Sequence, residues 1–368
     1  MSLSREEDRM ANAISGTTST LGPFAFVIAS ASLFGLSVPF CKLLLEDTSP
    51  VILAGLLYLG AFVGLFVFTV AKRMVNHASD MKPPKLERKD LPWLAGAVIS
   101  GGIVAPVSLM FGLALMSGFT TSLMLNLEGV ATAIIAVVVF KENAGRRLWL
   151  ALLLMTSAGV ALSWNPDEGE FGILGLALVG LAMASWGIDN NLTRMICTKD
   201  SVQIAQVKGL VAGSAILFAS MIAGEGIESM SSAALAMVVG ALGYGVSMVL
   251  FIRSLERLGS LRTGAFFSLG PFVGAAASVM LLGEWLGWLM LPAAVLMALG
   301  VWLMAGERHD HAHTHETTSH DHVHDHCDGH HMHEHFGLFD EPHSHEHSHQ
   351  QIAHNHAHRP DSHHRHGH

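Results

Sequence analysis

Charged residues are scarce in this chain of 368 residues. Asp, Glu, Lys and Arg together make up 14% of the sequence, whereas soluble domains contain about 25%. Hydrophobic residues reach 51%, and the mean hydropathy is +0.43. This composition excludes an ordinary soluble protein and predicts an integral membrane protein surrounded by the lipid bilayer.

Basic residues are also too few to suggest a nucleic-acid partner. The formal net charge is −9, and most of it comes from the last sixty residues. These contain ten acidic residues but only two basic ones, Arg359 and Arg365. The remainder of the chain is nearly neutral. We therefore expect no nucleic-acid binding.

Cysteines and catalytic motifs are sparse as well. Cys41, Cys197 and Cys327 lack the spacing of a metal finger or of a disulfide framework. No nucleophile with its base, phosphate-binding loop or paired-carboxylate motif stands out, so we do not expect an enzyme. The apolar run after residues 1–22 is longer than the roughly 7 to 15 residues of a signal peptide, which predicts a retained first span.

Long apolar runs are what the sequence has instead. A helix of about 20 apolar residues crosses a hydrocarbon core of about 30 Å, and its backbone hydrogen bonds are satisfied within the helix. Ten segments approach this length, which predicts an all-α integral membrane protein with ten transmembrane helices. The segments are 23–45, 51–72, 91–116, 119–140, 148–164, 171–193, 203–223, 231–252, 263–283 and 285–305.

Basic residues alternate between the two sides of the predicted spans. The connection 73–90 carries five of them, and later alternate connections are also basic, whereas 165–170 and 224–230 have none. By the positive-inside rule, we expect both termini in the cytoplasm of a multi-pass protein of the cell membrane, which we place in a bacterial inner membrane. Cys41 and Cys197 then lie near opposite faces and should not form a disulfide.

The two halves of the chain resemble each other weakly. A shift of about 150 residues places Lys42 on Arg194, and a shift of 142 places Glu142 on Glu284. Because each half has five helices, the second half must cross the membrane in the opposite sense, as in many secondary transporters. We therefore divide the chain into a cytoplasmic segment, two inverted five-helix repeats and a tail, at residues 1–22, 23–164, 165–305 and 306–368.

The ends of the repeats resemble a known family. Leu282, Gly283 and Glu284 precede a helix that ends Ala298-Leu299-Gly300-Val301, and the first half has Lys141 and Glu142 before Ala158-Gly159-Val160. In these motifs the chain resembles EamA-type members of the drug/metabolite transporter superfamily, although Lys141 replaces a glycine. The resemblance implies a membrane carrier, commonly an exporter of amino acids, metabolites or toxic compounds, and leaves the substrate open.

Glu128 is the single carboxylate inside the predicted fourth span. It lies roughly 14 Å from the start of this span, so it should face the bundle interior or a wet cavity. One interpretation is a cation ligand, or a carboxylate that alternates between a proton and the substrate. The other is a packed glutamic acid that is hydrogen-bonded to Asn126 or to a neighbouring helix.

Gly270 and Pro271 occupy the equivalent place in the predicted ninth span. Proline removes a helical hydrogen bond and obstructs the carbonyl of Phe267, so we expect a kink there. The freed carbonyls either line a cavity opposite Glu128 or the kink only shapes helix packing.

Five further polar or aromatic residues are candidates for a functional role. In the simplest interpretation, Asp189 and Asn190 mark the end of a helix at the cytoplasmic interface. In the other, they form an inner gate together with Trp186. Lys208 is expected to snorkel as a weak counter-charge. Tyr244 either lines a cavity or packs.

Histidine is concentrated in the tail, which holds 23 of the 24 histidines. Few apolar residues remain there, so we expect disorder. Imidazoles interleaved with carboxylates favour a divalent transition metal, Zn, Ni, Co or Cu; an expression tag and a pH-responsive polyelectrolyte are the alternatives. The candidate ligands are His309, His311, His313, His315, His320, His322, His324, His326, Cys327, His330, His331, His333 and His335.

The function predicted from these features is a secondary transporter that exports a small solute by alternating access. The tail suggests that the solute is a metal ion, a metal chelate or a metallophore. An ordinary metabolite or drug exporter with a regulatory tail is one alternative, and a non-transporting, membrane-anchored metal-binding or sensing protein is another. A homo-oligomer also stays open.

Overall fold

The computed structural model describes residues 3–75, 84–139, 145–163, 172–284, 288, 290–305, 310–314, 319–324, 343–348 and 353–357. In chain order the α-helices are α1 Leu3–Leu44, α2 Pro50–Val75, α3 Leu91–Ala97, α4 Ala105–Leu115, α5 Gly118–Met124, α6 Leu127–Val138, α7 Arg146–Ser163, α8 Gly172–Arg194, α9 Ser201–Ile222, α10 Met230–Val239, α11 Ser247–Phe267, α12 Gly270–Leu282 and α13 Met290–Ala305. A 3-10 turn, Arg88–Asp90, precedes α3.

The described parts of all ten predicted spans are helical apart from short interruptions, which confirms the all-α membrane fold. Within the described residues, seven helical segments are long and apolar enough to cross a membrane, and the shorter apolar helices Gly270–Leu282 and Leu291–Leu303 follow them. The seven are Phe24–Leu44, Pro50–Lys72, Arg88–Leu115, Gly118–Val138, Ile173–Arg194, Ser201–Ile222 and Met230–Leu258.

The two halves share their backbone irregularities. A π-helical segment spans Val98–Val104 in the first half and Gly240–Val246 in the second, 142 residues later. The helix α5–α6 is interrupted at Leu125 and Asn126, and α11–α12 at Ser268 and Leu269, 143 residues later. π-Helical segments are uncommon and often mark functional positions. Their recurrence at one shift supports the internal repeat far better than the side chains alone.

The helix α11 contains a reversal of the chain. In a straight helix, Phe251 and Phe267 would be roughly 24 Å apart along the axis. Their ring centroids are instead 4.9 Å apart. The two legs of α11 therefore lie side by side, and the turn falls at the basic connection predicted between the eighth and ninth spans.

Close helix contacts across the halves depend on glycine. α1 packs on α12, where Gly35 and Gly270 face each other. A Cβ atom on Gly274 would lie 2.7 Å from the carbonyl oxygen of Gly35. Because neighbouring helices in lipid associate through close packing, these glycines allow the approach that holds the halves together.

Glu284 links the two repeats. Its carboxylate accepts hydrogen bonds from the backbone N–H groups of Gly118 and Phe119, each at 2.6 Å. These N–H groups begin α5 and have no partner inside that helix, and the helix dipole also favours a negative charge there. Glu284, in the second half, thus caps a helix of the first half. Its counterpart Glu142 lies outside the described residues.

Removing this cap should destabilise the protein. We expect Glu284→Gln to cost about 1–3 kcal/mol, because hydrogen bonds to a charged group contribute more than neutral ones and one buried N–H loses its acceptor. Thermal unfolding of the detergent-solubilised protein would show a lower Tm. Glu228→Gln, at an exposed carboxylate, is the matched control, and equal Tm values for the two variants would contradict the capping role.

A polar contact joins two connections outside the spans. Lys199 donates to Glu87 at 2.5 Å and lies 3.6 Å from Asp90. The backbone N–H of Asp200 donates to the carbonyl oxygen of Pro84 at 2.9 Å. The hydrogen bond from Lys199 lowers the pKa of Glu87 from 4.5 to about 2, with Lys89 adding to the effect. The connection before α3 is thus held against the turn between α8 and α9.

This contact should make a small, pH-dependent contribution to stability. The folded state lowers the pKa of Glu87, so the contribution is complete above the unfolded value of 4.5 and is lost as the pH falls toward about 2. We expect Glu87→Gln to lower the Tm slightly at neutral pH and to have a shrinking effect as the solution is acidified. A Tm difference that stays constant over this pH range would contradict the assignment.

The tail forms a unit of its own, at residues 308–359. Disorder was expected there, yet the described parts are short strands, which suit the alternating pattern of the sequence. Strand β1 Asp310–Thr314 pairs antiparallel with β4 Ala353–Ala357, and β2 Ser319–His324 pairs with β3 His343–Ser348.

The strands carry only part of the proposed metal-binding set. Five candidate ligands lie on β1 and β2: His311, His313, His320, His322 and His324. The other candidates lie outside the described residues: His309, His315, His326, Cys327, His330, His331, His333 and His335.

Candidate functional site

A cavity lies among helices of both halves. It contains six residues that the sequence singled out: Glu128, Trp186, Asp189, Asn190, Lys208 and Tyr244. Among the residues that the structure describes, its lining is Phe34, Tyr58, Glu128, Trp186, Asp189, Asn190, Thr193, Lys208, Gly243, Tyr244, Ser247, Met248, Phe251, Ile252 and Phe267.

Glu128 stands at the start of α6, directly after the interruption at Leu125 and Asn126. Only 8% of its surface is exposed. Its Oε1 accepts a hydrogen bond from Nδ2 of Asn190 at 2.7 Å, and the same nitrogen donates to Oγ1 of Thr132 at 3.1 Å. Asn190 therefore holds the carboxylate from the other half of the protein.

The hydrogen-bond partner of Glu128 lies on a neighbouring helix, which is one of the two partners expected from the sequence. This partner is Asn190 in α8. The other expected partner, Asn126, has its Nδ2 atom 3.5 Å from the sulfur of Met297 and is not among the described residues that line the cavity. Two residues apart on a helix, the side chains of Asn126 and Glu128 point in nearly opposite directions.

The kink expected at Gly270 and Pro271 is confirmed. Helix α11 ends at Phe267, and α12 begins at Gly270 with Pro271 in its first turn. Pro271 borders a smaller recess beside Glu128 and Asn190. Gly270 is instead used for packing, because its Cα approaches the backbone of Ala31 in α1.

Asp189 and Lys208 form a buried ion pair. The ammonium of Lys208 donates to both carboxylate oxygens of Asp189 at 2.6 Å, and Thr193 donates to Oδ1 at 2.8 Å. Asp189 is 6% exposed and Lys208 is 2% exposed. Lys208 does not snorkel, and Asp189 and Asn190 do not mark a helix end, since α8 continues to Arg194. Buried charges in a membrane protein require such partners.

The first π-helical segment forms part of the cavity's support. The carbonyl oxygen of Gly101 accepts hydrogen bonds from the hydroxyl of Tyr58 at 2.5 Å and from Nε1 of Trp186 at 3.0 Å. A Cβ atom at Gly101 would collide with the carboxylate of Asp189. The glycine thus lets α8 approach closely, while its carbonyl orients two aromatic side chains.

Aromatic rings form much of the remaining wall. Phe34 contacts Trp186, Tyr244 and Phe267, with ring centroids 5.4, 5.6 and 5.5 Å apart. Tyr58 contacts Tyr244 at 5.5 Å. These are ordinary distances for aromatic pairs. Tyr244, for which lining and packing were both open, does both.

Sequence reasoning missed several of these residues, above all Tyr58, Phe34 and Phe251. One signal could have found Tyr58: the chain has only two tyrosines, and both line the cavity. The phenylalanines carried no signal, since 16 of the 18 are spread over the apolar spans.

The described residues contain no group of three or more His, Cys, Asp and Glu side chains that could hold a metal ion. Cys41 and Cys197 are both free and buried, which confirms that they do not pair. The cavity therefore offers carboxylates, amides, hydroxyls and aromatic rings to a solute, and its lining includes no histidine or cysteine.

Comparisons with known proteins agree with this architecture. The model of the EamA-like transporter family matches residues 22–164 and again residues 173–306. An uncharacterized transporter of Methanothermobacter thermautotrophicus is 25% identical over 292 residues, which cover 76% of this chain and 84% of the relative. A solved crystal structure shares the fold with a TM-score of 0.56 at 13% identity, over 78% of this chain and 95% of the other. The chain belongs to the EamA-like transporter family.

Proposed function

We propose that this transporter is an exporter that works by alternating access, with a proton and the solute exchanging at Glu128. The observation that carries the proposal is the position of Glu128: a buried carboxylate on the wall of a cavity built from both halves. Ionisable groups inside a membrane are costly and usually functional. A carboxylate held only by a neutral amide can release or accept a proton without breaking an ion pair.

The family membership favours transport over a non-transporting anchor or sensor. The positive-inside pattern supports cytoplasmic termini in a bacterial inner membrane. The proposed direction of solute transport is out of the cytoplasm, in exchange for protons that enter. Inverted repeats can provide the two conformations of alternating access. When each half adopts the conformation of the other, a site that was open to one side of the membrane opens to the other side.

The tail supports a role for transition metals in this function. Its histidines and acids suit Zn, Ni, Co or Cu, and we propose that it binds cytosolic metal and either regulates export or delivers metal to the solute. Because the described residues that line the cavity include no histidine or cysteine, an organic molecule, including a metallophore or a metal chelate, fits the cavity better than a bare metal ion. A metabolite or drug exporter with a regulatory tail is the second candidate.

Flux measurements in proteoliposomes test the proposal. The purified protein is given an imposed pH gradient and a panel of metal ions, chelates, amino acids and aromatic amines. We expect uptake of an organic solute in exchange for protons. If the rate of solute flux does not change with the size or direction of the pH gradient, the protein does not exchange the solute for protons.

Deleting residues 309–368 tests the tail separately. The truncated protein should lose most of its Zn²⁺ and Ni²⁺ binding in calorimetry, and it should lose the effect of these metals on flux. Metal binding and metal-dependent flux equal to those of the full chain would show that the tail has neither role.

A further inference from the structure

The cavity wall carries two carboxylates that have different partners. Glu128 accepts a hydrogen bond from the neutral amide of Asn190. Among the described residues that line the cavity, the basic one is Lys208, and its ammonium donates to both oxygens of Asp189. The Asp189–Lys208 pair has no net charge. When Glu128 has released its proton, the described part of the wall therefore carries one net negative charge, which favours a solute with one positive charge.

The rest of the wall selects the kind of cation. Phe34, Trp186 and Tyr244 contribute rings beside the carboxylate, and Met248 adds a polarisable thioether. Aromatic faces attract cations, most strongly those whose charge is spread over an organic group. A small inorganic cation would instead lose its hydration shell and find too few oxygen ligands in return.

We infer that the solute is a monovalent organic cation with an aromatic or bulky apolar body, and that Lys208 sets this valence by occupying Asp189. The inference rests on the transport function proposed above. Asp189 is a second carboxylate on the same wall, so without Lys208 the cavity would carry two negative charges and would accept a dication. A dicationic solute in the native cavity meets the fixed ammonium of Lys208, and like charges in a desolvated site repel each other.

A matched pair of probes tests this inference on the native protein. 1-Methyl-4-phenylpyridinium and 1,1′-dimethyl-4,4′-bipyridinium have nearly the same size and shape but carry one and two positive charges. We expect the monocation to bind at least about tenfold more tightly in equilibrium binding. Neutral 4-phenylpyridine and zwitterionic tryptophan should bind more weakly than the monocation. Equal binding of the two cations, or stronger binding of tryptophan, would overturn the inference.

Two variants test the role of Lys208. Lys208→Met should bring dication binding to about the level of monocation binding, and the dication should raise the Tm of this variant. The double variant Asp189→Asn with Lys208→Met removes both charges, so it should fold and keep the native preference for the monocation. A double variant that accepts the dication, or a Lys208→Met protein that the dication does not stabilise, would exclude Lys208 as the valence filter.

Binding and flux separate the two proposals. A monocation that binds in a Glu128-dependent manner but does not cross the membrane would support the substrate class and contradict the transport mechanism. Tryptophan flux that depends on Glu128, without binding of the monocation, would contradict the substrate class and leave the transport mechanism standing.

Discussion

Glu128→Gln should reduce proton-driven solute flux by at least about 30-fold while leaving the protein folded. Removing one partner of a buried charged interaction costs about 2–5 kcal/mol, and each 1.4 kcal/mol is tenfold in affinity. Glutamine keeps the size of the side chain and can still accept the hydrogen bond that Asn190 donates at 2.7 Å. It cannot carry a negative charge or exchange a proton. Flux in proteoliposomes and the Tm of the same preparation are the two measurements.

The control for Glu128→Gln is again Glu228→Gln, at an exposed carboxylate that is not among the described residues lining the cavity. This control should transport at the native rate. A loss of flux in both variants would indicate a general effect of charge or reconstitution. If Glu128→Gln transports the solute at the native rate and with the native pH dependence, Glu128 is not the site of proton exchange.

Lys208→Met should cause the largest loss of stability, about 3–5 kcal/mol. The substitution leaves Asp189, which is 6% exposed, as a buried charge that keeps only the hydrogen bond from Thr193. Breaking a buried ion pair in this way is strongly destabilising, whereas replacing both partners by neutral groups is often tolerated. Thermal unfolding in detergent should show a sharply lower Tm for Lys208→Met.

The double variant Asp189→Asn with Lys208→Met should recover most of the lost stability. A double-mutant cycle with Asp189→Asn alone completes the measurement, and we expect the two single effects to be strongly non-additive. Additive effects would mean that the pair contributes through independent contacts. In that case the ion pair could not hold α8 and α9 together at the cavity.

The likeness of the two halves is stronger in backbone than in side chains. Gly101 and Gly243 stand at equivalent positions in the two π-helical segments. Gly101 faces the carboxylate of Asp189, whereas a Cβ at Gly243 would lie 2.7 Å from Cβ of Ser37. Ser37 is the counterpart of Asp189 at a shift of 152. The two halves thus share a backbone geometry, but the charged groups that we assign to function are not repeated. Glu128 lies in the first half, whereas Asp189 and Lys208 lie in the second.

Sequence by itself determined the membrane class, the helical spans, the kink at Pro271 and the interior position of Glu128. These features depend on local properties: the length of an apolar run, the missing N–H of proline, and the cost of a charge in lipid. Each can be recognised without knowing which helices are neighbours.

Tertiary structure alone decided the partners. Asn190 rather than Asn126 holds Glu128, Lys208 is neutralised by Asp189, and Glu284 caps a helix of the other half. In a soluble helix the apolar stripe indicates the buried face, but in a membrane the lipid-facing and protein-facing sides are both apolar. The sequence therefore carries little information about which way each helix faces, and only the packed bundle brings these charges and rings together around one cavity.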